Sequence, residues 1–308
     1  MYIEQGYEGN FSLWKFWVLP LGFICFMILN YISVLYSPVS VDVLMAEMID
    51  KLGSNLVLIL LLVPLAVGLF IILGWVKLVQ SQTIRALTTS RKKIDWKRIG
   101  FAFFLWGTIT VLLVGVDVYF SPEKFELNFQ LVPFLKLAVI VVILMPLQTS
   151  FEEYMFRGQM MQGLGLLVKN RWVPLLVTSV LFGLMHLGNP EVETLGPGVM
   201  VFYIGTGLFL GIITLMDEGL ELALGFHAAN NVFGALLMTS DWSAFQVNSI
   251  FKDVSEPVLG WDILVPVFVI FPLLIYYFSR KYGWKDWKER LTGKVASREV
   301  FLESRANA

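Results

Sequence analysis

Three features of this sequence predict an all-α polytopic membrane protein with about eight transmembrane helices. Apolar residues make up 57% of the 308 and charged residues only 15%, against about 25% charged in soluble domains. Apolar runs close to the ~20 residues that cross a bilayer recur along the whole chain. The remaining charges are sorted, with basic and acidic loops alternating between the runs, as the rule for membrane orientation requires.

The first run, Trp14–Tyr36, is longer than the ~7–15-residue core of a signal peptide and lacks a small-x-small cleavage site, so it reads as a retained span. Further spans follow at Leu56–Leu78, Ile99–Phe120, an overlong Leu131–Leu167, Trp172–Leu187, Val199–Met216, Gly219–Met238 and Trp261–Phe278. The loop after the second span carries Arg85, Arg91, Lys92, Lys93, Lys97 and Arg98 against Asp95 alone. The turn at Lys169 and Arg171 is basic, as is the tail from Arg280. The alternate loops hold Asp42, Glu47 and Asp50, then Glu123 and Glu126, then Glu191 and Glu193, then Asp241, Asp253 and Glu256. Both termini are therefore expected in the cytoplasm. The acidic Asp217-Glu218-Gly219 turn breaks the alternation.

No repeat or flexible linker divides the chain, so residues 1–308 form one membrane domain. Its expected functional core is residues 130–240, and a basic cytoplasmic tail, 280–308, is expected to lie on the anionic leaflet. Trp14, Trp17, Trp96, Trp172 and Trp261 fit an interfacial belt. Net charge is −1 and no basic face is left over, which gives no footing for nucleic acid. Cys25 is the single cysteine, which excludes an internal disulfide and a cysteine-based metal site. No Walker loop, dinucleotide fingerprint or serine nucleophile motif is present, and no cofactor is implied. The lipid bilayer is the one partner that composition requires.

Ionised groups inside spans are costly and are seldom found without a partner or a task. Glu152 and Glu153 sit in the fourth span, diverging by roughly 100° around the helix. Glu153 and Arg157 form an i,i+4 pair in the favourable order, which leaves Glu152 available. The two histidines of the chain, His186 and His227, fall in the fifth and seventh spans. Phe182 lies four residues before His186 and Asn231 four after His227, each pair on one helix face. Continued to Leu167, the fourth helix sets Glu152 roughly 22 Å above its basic end. His186 stands roughly 20 Å above Val173, and His227 roughly 12–16 Å above the start of its helix. Three segments can therefore meet at one depth, provided that Leu131–Pro146 tilts, kinks or forms a separate half-helix.

Glu152-Glu153-x-x-x-Arg157, Phe182-x-x-x-His186 and His227-x-x-x-Asn231, in this order on successive segments, resemble the three motifs of the CAAX-protease and bacteriocin-processing (CPBP, or Abi) family of intramembrane glutamic endopeptidases, which includes the type II CAAX prenyl endopeptidases. The resemblance spans about residues 130–240. It implies a metal-independent protease with catalytic motifs on helices 4, 5 and 7, acting on a peptide or membrane-protein substrate. Glu152 would activate water with help from His186. His227 and Asn231 would stabilise the oxyanion, and Glu153, Arg157 and Phe182 would support the site. Water must reach that depth, and the opening is expected on the cytoplasmic side. Two other readings stand beside this one: a zinc protease using Glu152, His186 and His227, and a non-enzymatic transporter or bacteriocin-immunity or peptide-binding protein.

Overall fold

The structure, a computed structural model, describes residues 1–306, apart from the side chain at position 262. Residues 307–308 of the expected tail lie outside it. About 75% of the chain is helical. Six helical stretches are long and apolar enough to cross a membrane: Leu13–Leu35, Ser54–Gln80, Trp96–Phe120, Leu131–Val168, Pro197–Asp217 and Ile263–Tyr282. They coincide with six of the eight expected spans. The other two are shorter, 13 residues at Trp172–Leu184 and 17 at Glu221–Leu237, below the ~20 of a full crossing. These are the two segments of the histidine motifs.

In chain order, α1 (Val18–Leu35) buries only Pro20 and otherwise faces outward. The amphipathic α2 (Val41–Leu52) buries nothing and ends at Gly53, whose φ of 79° suits glycine. α3 (Ser54–Trp75) turns Leu58, Leu62, Leu69 and Ile72 inward. The short α4 (Ile84–Thr88) is capped by the Thr83 hydroxyl, which accepts from the Ala86 amide at 3.2 Å. α5 (Trp96–Phe120) starts where Asp95 accepts from the Lys97 amide at 3.0 Å.

The next helix is the axis of the fold. α6 (Leu131–Glu153) runs unbroken through Pro146, passes into a π-helical stretch, Tyr154–Met160, and continues as α7 (Met161–Val168). Leu131–Pro146 is therefore neither a half-helix nor a separate element. At about 1.5 Å per residue the whole stretch is far longer than the ~30 Å hydrocarbon core. The Thr149 hydroxyl donates to the Met145 carbonyl at 3.0 Å one turn past the proline. Wide π turns inside helices are frequent at functional sites, and this one opens directly after Glu153.

α8 (Trp172–Leu184) is followed by a turn, by α9 (Pro190–Leu195) and by α10 (Met200–Asp217), which packs along α8. A methyl at Gly207 would stand 2.6 Å from the Ser179 carbonyl oxygen, so only glycine allows this approach. α11 (Glu221–Leu237) lies between α5 and α6, with Gly225 against the Ile99 carbonyl. The chain ends in α12 (Trp261–Val265), a π turn, α13 (Phe271–Tyr282), α14 (Trp287–Thr292) and α15 (Arg298–Ala306). At the acidic-loop end three short strands, β1 (Phe125–Leu127), β2 (Met238–Thr239) and β3 (Phe251–Asp253), form a sheet in the order β1-β3-β2. β3 is antiparallel to β1 and parallel to β2.

The basic-loop end is tied together by charge. Asp217 takes an ion pair from Arg91 at 2.8 Å, another from Arg98, and the Trp284 indole N–H at 3.0 Å. Glu221 pairs with Arg91 at 3.0 Å. The Asp217 pairs account for the acidic turn that broke the alternation: its carboxylate neutralises two bases of the neighbouring loop. The first residues are also built in. Tyr2, Ile3 and Tyr7 are buried, and Glu4 pairs with Arg171 below the surface. Part of the tail is docked onto the rest of the protein. Trp284 and Phe301 are buried, and the Val295 amide donates to the Lys169 carbonyl at 3.1 Å.

Candidate active site

Two helices build the site as a ladder. On α6, Gln148 and Glu152 lie one turn apart on one face; on α11, His227 and Asn231 do the same. Gln148 meets Asn231, whose Nδ2 donates to Gln148 Oε1 at 3.2 Å, and Glu152 Oε2 lies 3.5 Å from His227 Nε2. The order of the rungs makes the two helices antiparallel. Gln148 Nε2 donates to Glu152 Oε1 at 2.5 Å, closing one rail.

Glu153 is fully buried and points the other way round the helix, as its spacing from Glu152 requires. Its Oε1 accepts from Arg157 at 2.8 Å and from His227 Nδ1 at 2.8 Å. His227 thus bridges both glutamates. Arg157, also fully buried, donates its second amine to the Gly207 carbonyl at 2.9 Å. Its guanidinium stacks over Phe182 at 4.4 Å from the ring centre. Two carboxylates and one guanidinium leave one negative charge, and a single proton on His227 or Glu152 cancels it. A neutral cluster is what a low-dielectric site favours, since an uncompensated buried charge is costly.

His186 is not inside a helix. It stands in the turn after α8, where its amide donates to the Gly183 carbonyl at 2.9 Å and Nδ1 donates to the Phe182 carbonyl at 2.8 Å. The imidazole thereby satisfies a carbonyl that the ending helix leaves open, and this is why α8 stops short of the expected Leu187. A carbonyl only accepts, so Nδ1 carries the proton and Nε2 keeps its lone pair in the neutral ring. The ring stacks on Tyr203, 4.2 Å between centroids and 17° from parallel.

Phe182 packs beside both imidazoles, with ring centres 5.1 Å from His186 and 5.7 Å from His227. Glu152, Glu153, Arg157, His227 and Asn231 are therefore in one bonded cluster. His186 touches the same Phe182 ring as His227, with no hydrogen bond to Glu152 among the described residues. No three His, Cys, Asp or Glu side chains among those residues are arranged to hold a metal ion. The expected opening toward the basic end is filled: Met155, Phe156 and Arg157 on one helix and Ala223 and Phe226 on the other are buried. Partial exposure is found instead at Glu152, His186, Asn230 and Asn231.

Sequence reasoning missed Gln148, Trp106 and Tyr203, and treated Asn230 only as diverging from the histidine. Trp106 Nε1 donates to Asn230 Oδ1 at 3.2 Å, and Asn230 Nδ2 donates to Asn231 Oδ1 at 3.2 Å. The available signal for Gln148 was a lone amide four residues before an intramembrane glutamate. Tyr203 carries no comparable signal in the sequence.

The fold and this cluster define a class: a polytopic α-helical membrane protein with an acid–imidazole–amide site buried among its helices. Residues 131–233 match the type II CAAX prenyl endopeptidase Rce1-like family model, from the first residue of α6 to just past Asn231. This segment, which holds every residue of the three motifs, is thus similar to a family of CAAX-type membrane proteases. The chain is also similar to the uncharacterized protein YyaK of Bacillus subtilis (strain 168), with 29% identity over 245 residues, covering 77% of this chain and 82% of the relative. No solved structure matches the chain.

Proposed function

We propose that this protein is a membrane endopeptidase that hydrolyses a peptide bond in a peptide or membrane-anchored protein, with Glu152 as the base that activates water. The observation that supports it most is the ladder itself, which holds a carboxylate oxygen 3.5 Å from an imidazole nitrogen with an amide donor on the next rung. Glu152 Oε2 takes a proton from water, and the hydroxide adds to the scissile carbonyl. His186 Nε2, its lone pair fixed by the Nδ1–H bond to the Phe182 carbonyl, accepts a hydrogen bond from that water and orients it. The negative oxygen that develops is met by Nε2–H of protonated His227 and by an Asn231 amide hydrogen. Such donors are most effective where water is scarce. Collapse of the tetrahedral species returns the Glu152 proton to the leaving amine. Glu153 holds His227 in place through Nδ1, and Arg157 offsets the charge of Glu153.

Substrate and water reach the ladder from the turn after α8, where the partial exposure lies. The Lys- and Arg-rich loops support cytoplasmic termini, and the Bacillus relative supports a bacterial cytoplasmic membrane. The test is a comparison of membrane peptides in cells making parental or Glu152→Ala protein, with the purified pair then assayed with and without a chelator. Peptides that accumulate uncut only with the variant, and a rate indifferent to chelation, are expected. Equal peptide profiles reject proteolysis; loss of rate on chelation that zinc restores selects the zinc reading.

A further inference from the structure

We infer that Gln148 is a positioning residue that fixes the orientation of both the base and the oxyanion amide through a chain of hydrogen bonds with only one allowed direction. This rests on the proteolytic reading of the site. The chain runs Trp106, Asn230, Asn231, Gln148, Glu152, with separations of 3.2, 3.2, 3.2 and 2.5 Å. Three successive amides are each able to present either oxygen or nitrogen, and their orientation is ordinarily ambiguous. Here both ends are fixed. An indole N–H can only donate, and an ionised carboxylate can only accept. Reversing any one amide would set oxygen against oxygen or N–H against N–H, so all three are locked in one sense.

Two consequences follow for the chemistry. Glu152 Oε1 is occupied by the Gln148 amide, so Oε2, facing His227, is the oxygen that takes the proton. Asn231 presents its NH₂ and not its carbonyl toward the α6 side, with one hydrogen committed to Gln148 and the second available to a developing oxyanion. Gln148 is 5% exposed and Trp106 6%, so water does not readily substitute for a missing link.

Gln148→Met keeps the length of the side chain and removes both amide functions; Trp106→Phe keeps an aromatic ring and removes the indole N–H. They are assayed on a quenched fluorogenic peptide carrying the sequence that accumulates in Glu152→Ala membranes. Gln148→Met is expected to lose about 10–100-fold in kcat with KM within about twofold, the signature of a misaligned reacting group. Trp106→Phe is expected to lose roughly fivefold, the weight of one buried hydrogen bond. The double variant should be no slower than Gln148→Met, because the chain is already cut. A parental kcat in either variant, or losses that multiply in the double, overturns the inference. A substrate-free version reads the same cycle as unfolding midpoints in micelles, where shifts that simply add also overturn it. If Gln148→Met does not fold, Trp106→Phe decides alone: reduced kcat at unchanged KM supports the chain, and parental kcat rejects it. Glu152→Gln run in parallel separates the failures. If it cuts at the parental rate, the proteolytic reading falls and this inference with it; if it is dead while Gln148→Met is unimpaired, only the positioning role falls.

Discussion

Removal of the Arg157 guanidinium is the perturbation whose cost the structure sets most clearly. Arg157 and Glu153 have no exposed side-chain surface, and they meet at 2.8 Å. Arg157→Leu removes that ion pair, the 2.9 Å bond to the Gly207 carbonyl and the stack on Phe182. It also leaves Glu153 as a buried carboxylate with only His227 beside it. Stranding one partner of a buried pair costs about 3–5 kcal/mol, between roughly two and four powers of ten in the unfolding constant. The assay is equilibrium unfolding in mixed micelles. Adding Glu153→Gln removes the stranded charge, so the double variant should recover part of the loss. If Arg157→Leu costs less than about 1 kcal/mol, and the second substitution recovers nothing, the guanidinium is not the counter-ion of Glu153 and the charge balance of the site is wrong.

Other consequences can be checked in the same preparations. Gly207→Ala forces a methyl onto the Ser179 carbonyl oxygen and should lower stability by about 1–3 kcal/mol through overpacking, while Ala at the open Gly74 should not. Asp217→Ala removes one partner each from Arg91 and Arg98, which keep Glu221 and Asp95, and should cost about 1–3 kcal/mol, read as a lower unfolding midpoint. At Glu8, burial pushes the carboxyl pKa up, but bonds from Thr83 and Arg305 and the charge of Arg85 outweigh it and leave the pKa lowered. The stabilisation this gives is present above the unfolded-state value of about 4.3 and is lost as pH falls through the lower folded value. The hydrogen-exchange protection of residues 1–10, taken relative to the intrinsic rate at each pH, should therefore fall below about pH 4, and Glu8→Gln should lower it already at pH 7.

The span pattern was legible because a bilayer imposes it residue by residue, and six stretches stand where hydropathy placed them. The i,i+4 pairs were legible for the same kind of reason, since helix geometry alone brings Glu153 to Arg157 and places Asn231 beneath His227. Periodicity gives a face and not its partner, however. Nothing in the sequence said that His227 would bridge both glutamates, or that Asn231 would meet Gln148. The end of α8 was misjudged because an apolar run does not reveal that a histidine will cap it and take the Phe182 carbonyl. Burial of Tyr2, Ile3 and Tyr7 was invisible for another reason: a short mixed segment has no period, and its place depends on a cleft made by residues far along the chain. The short strands were missed likewise, each being two or three residues long.

Cleavage by purified protein in lipid discs, parental against Glu152→Gln, tests the central claim most directly. The substitution keeps the shape of the side chain and removes its ability to take a proton. The parental protein should cut its membrane peptide while the variant, equally well folded by unfolding midpoint, is slower by at least about a hundredfold. A variant that cuts at the parental rate would show that Glu152 is not the base and that the ladder serves some other end.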